Sequence, residues 1–147
     1  MVKWWEFLKM SLYFFILISA AWQDIRYRGI GKTFLLLAGF LGLVVSAGTG
    51  RQWWNVFISV IPGILLLGFS HLTDGGIGEG DGWFFVVSGL FWELKENLLL
   101  MQSGILFCSM YGLAWSAAVL ARSGNIRRKT LPFLPYLLPV GLWLVLS

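Results

Sequence analysis

Histidine and cysteine occur once each in 147 residues, as His71 and Cys108, and that scarcity closes several routes to chemistry. A single histidine cannot build a His-Glu-x-x-His zinc helix. A single cysteine allows neither an intrachain disulfide nor a Cys-rich metal site, and leaves the redox compartment open. No Gly-x-Ser-x-Gly elbow supports a serine hydrolase, and no glycine turn is followed by the Lys-Ser/Thr of a phosphate loop. Charge is also sparse: 12% of residues are charged, where a soluble domain carries about 25%. The net charge of +4 does not point to nucleic acid, because the basic residues sit in short links between apolar runs.

What is abundant is hydrocarbon. Hydrophobic residues make up 58% of the chain, with nine Trp among them, the mark of a protein anchored at bilayer interfaces. Six apolar runs follow one another at roughly 4–23, 33–49, 54–71, 82–94, 97–121 and 131–146. The expected fold is an all-α integral membrane protein of about six transmembrane helices, residues 1–147 forming one transmembrane domain in the lipid bilayer. The first run has the look of a signal peptide, with Ser19-Ala20-Ala21 as a cleavage site, but cutting there would remove the helix leading to Asp24. It is read as a span.

Topology follows from the links. With the N-terminus outside, Arg26, Arg28, Lys32, Arg122, Arg127, Arg128 and Lys129 lie inside, and only Lys3, Lys9, Arg51 and Lys95 lie outside. The excess predicts an N-out, C-out protein of the cytoplasmic membrane. Trp4, Trp5, Trp53, Trp54 and Trp92 then mark outer ends, and Trp22 and Trp83 inner ends. Glu6, Glu93 and Glu96 fall outside. Asp24, Asp74, Glu79 and Asp81 remain inside as the candidates for acid chemistry.

Four runs carry finer signals. The fourth is short, about 20 Å of helix against about 30 Å of hydrocarbon, which draws Asp81 toward the low-dielectric layer. In the fifth, Gly104, Cys108, Gly112 and Ser116 recur at intervals of four, a stripe suited to close helix packing, with Cys108 read as a packing residue. Pro62-Gly63 predicts a kink in the third run, and Pro132, Pro135 and Pro139 shape the entry to the sixth.

The densest signal is the stretch 74–82, Asp-Gly-Gly-Ile-Gly-Glu-Gly-Asp-Gly, which holds five of the 18 glycines. Such a turn is costly beside lipid, and an ionisable residue at that depth marks a functional site. Asp24 closes the first run on the side where Asp81 opens the fourth. Two carboxylates brought together share one proton: the ionised one takes a proton from water while the protonated one donates to a carbonyl oxygen. That arrangement hydrolyses a peptide bond without a covalent intermediate. The plainer alternatives are helix capping by Asp81, pairing of Asp24 with Arg26 or Arg28, and an interfacial role for His71.

Gly78-Glu79-Gly80-Asp81 resembles the Gly-x-Gly-Asp signature of intramembrane aspartyl proteases. Asp24 with its basic loop, and the stretch Arg128-Lys129-Thr130-Leu131-Pro132-Phe133-Leu134-Pro135-Tyr136, resemble the type IV prepilin peptidases. The likeness extends over essentially the whole chain. It implies a peptidase-only minimal form, of the kind that accompanies tight-adherence (Flp) pili, with Asp24 and Asp81 catalytic and no metal or organic cofactor. The implied substrate is a prepilin-like membrane protein whose short basic leader is cut at the cytoplasmic face, usually after a Gly. Gly78 and Gly80 would let the substrate strand approach the backbone, and Asp74 and Glu79 would attract its leader. Two positions depart from the family pattern: Trp83 stands where a Lys is common, and Ile30-Gly31-Lys32 where Ile-Pro-Asn is common. A non-catalytic membrane protein, a transporter subunit or assembly factor using Asp81 as a cap, is the rival reading. The residues leave the oligomeric state open. On the peptidase reading, replacing Asp74→Asn together with Glu79→Gln raises KM and spares kcat in a leader-cleavage assay.

Overall fold

The computed structural model describes residues 2–74, 78–122 and 131–147. Gly75, Gly76 and Ile77 of the glycine stretch, and Arg127, Arg128, Lys129 and Thr130 of the basic link, lie outside the described residues. The chain forms helices α1 (Val2–Tyr27), α2 (Lys32–Gly48), α3 (Trp53–Leu72), α4 (Glu79–Phe91) and α5 (Leu94–Ala121), then a 3-10 turn (Leu134–Leu137) leading into α6 (Leu138–Leu146). No strand occurs among the described residues.

Six helices match the six apolar runs, with informative differences at the ends. Helix α1 continues past its apolar run, so Asp24 stands inside its last turn, and it stops where Arg28 takes a left-handed φ of 52°. The sixth run divides into a 3-10 turn and a nine-residue helix. Pro135 and Pro139 sit in the first turns of these two pieces, where a missing N–H is tolerated. Helices α1, α3 and α5 are long and apolar enough to cross a membrane, whereas α2 has 17 residues and α4 has 13. At 1.5 Å per residue, α4 spans about 20 Å. The count of full-length spans is therefore smaller than the count of apolar runs.

The surface and the interior are those of a membrane protein. Large apolar side chains such as Leu36, Phe40, Phe57, Leu106 and Leu113 face outward. Inside, small and polar residues (Ser46, Ser59, Ser70, Ser88 and Asn97) stand among the buried aromatics Tyr13, Phe84, Phe85 and Phe91. Without a hydrophobic drive between helices in lipid, close packing and interhelical hydrogen bonds hold them together.

Helix α4 is the best-fastened element, and its most extensive packing is against α3. A side chain at Gly63 would strike the backbone of Phe85 and Val86, and one at Gly89 the backbone of Ser59 and Val60. Helix α3 runs through Pro62–Gly63 as one continuous helix, so this pair serves the close crossing of α4. Asn97, fully buried, donates from Nδ2 to the carbonyls of Ser59 (2.7 Å) and Phe85 (3.1 Å). Arg51 donates to the carbonyls of Gly89 (3.3 Å), Leu90 (3.2 Å) and Trp92 (2.9 Å), closing the C-terminus of α4 with a positive charge. Ser46 also donates to the Leu90 carbonyl, and the buried Tyr13 hydroxyl meets that of Ser88 at 2.9 Å.

Trp92 departs from its expected place. It is buried, edge-on to Tyr13 with ring centroids 5.4 Å apart and with Lys9 over its ring, whereas Trp4, Trp22, Trp53, Trp54 and Trp83 remain exposed like interfacial anchors. Glu6, Lys9, Arg51, Glu93 and Glu96 gather around one polar cavity of about 590 Å³ at one end of the helices. Substituting Gly89→Ala should force α3 and α4 apart and destabilise the protein by about 1–3 kcal/mol. Gly68→Ala, whose new methyl would meet nothing within 4 Å, should be neutral or stabilising. Thermal unfolding in detergent compares the two.

Candidate active site

A cavity of about 730 Å³ opens at the other end of the helices, and both candidate aspartates line it. Asp24 enters from the last turn of α1. Asp81 comes from α4, beside Gly78, Glu79 and Gly80. Arg28, Gly29 and Ile30 from the α1–α2 link, Leu66 from α3, and Met101, Ile105, Cys108 and Ser109 from α5 form further wall, completed by Leu131, Pro132 and Phe133.

Local geometry explains why glycines surround Asp81. Gly78, in extended conformation, is the N-cap of α4, and no side chain caps it. Asp81 is the third residue of the helix, so it is not the cap. Its carboxyl turns back over Gly78, where a Cβ would lie 3.1 Å from Oδ2. Gly82 faces α3, and a Cβ there would come within 2.8 Å of Leu67. At Gly80 an added Cβ would meet only ordinary contact with Ile30, so this position is open to the cavity. The glycines thus serve a carboxyl fold-back, a helix contact and an open wall, each at a different position.

Asp24 is fixed from elsewhere. It is 7% exposed, and its Oδ2 accepts a hydrogen bond of 3.0 Å from the amide of the fully buried Leu134. The Phe133 amide faces the same carboxyl. Asp81 lines the same cavity from α4. Two carboxyls that meet in such a place hold one proton between them more readily than none. A direct N–H bond favours the ionised form by about 1.5–3 kcal/mol. The N-terminal dipole of α4, which favours charge on Asp81, contributes about 0.3–1 kcal/mol.

The remaining candidates separate. Glu79 lines the cavity while its Oε1 lies 3.7 Å from Nδ1 of the exposed His71, at the cavity's rim. Asp74 does not join the site: it is exposed, in a left-handed turn (φ 47°) after α3, and is absent from the cavity wall. Both acids are exposed, and Glu79 borders the cavity where Asp74 does not. Cys108 was expected only to pack; it lines the cavity. Of its stripe, Gly104 is the member in tight contact, against Leu137 and Phe133. The Leu134 amide was not foreseen, because a backbone group carries no sequence signal; the prolines around it were the nearest hint. Among the described residues, no group of three His, Cys, Asp or Glu is placed to hold a metal ion.

Two carboxyls from separate helices thus line one cavity in a helical membrane protein. The model of the type IV leader peptidase family matches residues 11–113, and the chain belongs to that family. It is 26% identical over 122 residues to a prepilin leader peptidase/N-methyltransferase of Bacillus subtilis, covering 82% of this chain and 48% of that protein. It is also 31% identical over 107 residues to a haem A synthase of Cereibacter sphaeroides, covering 69% of this chain and 25% of that protein. The chain thus spans about a quarter to a half of the curated relatives it matches. No solved structure matches it.

The shared cavity can be tested without any assumption about activity. In a Cys108→Ser background, Asp24→Cys combined with Asp81→Cys should be bridged in high yield by a short bis-methanethiosulfonate, which forms a mixed disulfide with each thiol and releases methanesulfinate. Asp24→Cys combined with Glu93→Cys, at opposite ends of the helices, should not. Mobility on a gel reads both.

Proposed function

We propose that the protein is an aspartyl endopeptidase that removes the short basic leader of a prepilin-like precursor at the cytoplasmic face of the bacterial membrane, with Asp24 and Asp81 as its catalytic pair. The observation that carries this reading is that Asp24 of α1 and Asp81 of α4 line one cavity. Membership of the leader peptidase family supports it independently.

The chemistry balances with the two side chains and water alone. The ionised carboxylate accepts a proton from a water molecule as its oxygen attacks the scissile carbonyl carbon. The protonated carboxyl donates to the carbonyl oxygen, giving a neutral tetrahedral diol. Collapse breaks the C–N bond: one carboxyl passes its proton to the leaving nitrogen while the other, now ionised, takes a proton from a diol hydroxyl, so the pair again holds one proton. Gly78 and Gly80 form the wall along which the peptide lies. Glu79 attracts the basic leader. Asp74 lies outside the cavity, so the rise in KM expected of the double replacement should come from Glu79→Gln alone.

The rival reading, a non-catalytic membrane protein capped by Asp81, loses its structural premise because Gly78 holds the cap. Co-expression with a candidate prepilin tests the choice. Asp24→Ala, Asp81→Ala and Asp81→Asn should each lower cleavage by about 10²–10⁴-fold while the protein still accumulates in the membrane. Full cleavage by either aspartate variant would remove the pair from the chemistry.

A further inference from the structure

We propose that the backbone amide of Leu134 is a positioning group for the catalytic pair: it orients Asp24 and holds it as the ionised, proton-accepting member, which leaves the proton and the acid role to Asp81. This rests on the peptidase reading above and adds the assignment of roles within the pair.

Four observations meet at this contact. Leu134 opens the 3-10 turn, where an N–H has no partner within its own helix. Pro132 and Pro135 have no N–H, so within 132–135 only Phe133 and Leu134 can donate. The segment is held by packing unrelated to the aspartates: Leu134 and Leu137 are fully buried, and Leu137 and Phe133 lie against Gly104 of α5. The contact itself, 3.0 Å from Leu134 N to Asp24 Oδ2, joins residues 110 positions apart. A carboxylate has about four acceptor lone pairs, so the amides of this segment still leave Asp24 room to accept from a water molecule in the cavity. An N–H donor favours the carboxylate over the carboxylic acid, because the acid's own proton competes for the same lone pairs.

The other charged or titratable groups on this cavity are Asp81 and Glu79 of α4, Arg28 after α1 and Cys108 of α5. All stay in place if only the amide is removed. Replacing Leu134 with its α-hydroxy acid, which substitutes an ester oxygen for the N–H and keeps the side chain, does this. In lipid nanodiscs with a prepilin peptide, kcat should fall about tenfold with KM unchanged. The acid limb of kcat/KM should move up by about one pH unit, since Asp24 would then take a proton at higher pH. A wild-type kcat and acid limb would overturn the proposal.

A second measurement does not depend on the ester variant folding. Hydrogen exchange of the Leu134 amide should be slow in the wild type and much faster in Asp24→Ala. Equal protection in both would overturn the contact. Should Asp24→Ala and Asp81→Ala cleave like the wild type while the exchange difference persists, the contact is real but the pair is not catalytic. The peptidase reading then fails, and the role assignment falls with it.

Discussion

The hydrogen bond from the Leu134 amide to Asp24 ties the first helix to the last segment of the chain, between two largely buried residues. A carboxylate removed from water is costly, and an unpaired amide at a helix start is costly too. Each group meets the other's need. The rest of the site depends on this contact, because it sets where Asp24 stands and so where Asp81 must approach.

Helix α4 brings Asp81 to that place. At 13 residues it cannot reach across a bilayer as a free span, and its two ends are treated differently. The outer end is closed by Arg51 and Ser46 on its last carbonyls, with Asn97 clamping α3 to α4 from α5. Glycines at positions 63, 82 and 89 bring α3 and α4 into backbone contact over the length of α4. At the inner end there is no side-chain cap, only Gly78 and an open wall. Rigidity is thus concentrated away from the cavity. The residues beside Asp81 are kept small enough for its carboxyl to turn inward.

How much of this could be read in advance varies by residue. The apolar runs announced the helices, because hydrocarbon satisfies no backbone group and helix is the economical answer. The alternation of links put Asp24 and Asp81 at one end and Glu6, Glu93 and Glu96 at the other, and the structure agrees on both groups. The trend failed where a neighbour outweighed it. Trp92 looked like an interfacial anchor and is drawn inward by Tyr13 and Lys9. Asp74 looked equivalent to Glu79, but the left-handed turn after α3 leaves it outside. Cys108 belonged to a packing stripe, in which Gly104 lies tightly against Leu137 and Phe133, yet Cys108 itself lines the cavity.

The sequence by itself determined that the chain is helical and membrane-embedded, and that two acids stand at one end of their helices. Hydrophobic run length and the placement of rare charges are properties of the chain's own order. Only the tertiary structure decided which acids share a cavity, that Gly78 rather than Asp81 caps α4, and that a backbone amide holds Asp24. Those outcomes depend on distances between segments far apart in the chain, and a backbone donor has the same chemistry whichever side chain its residue carries.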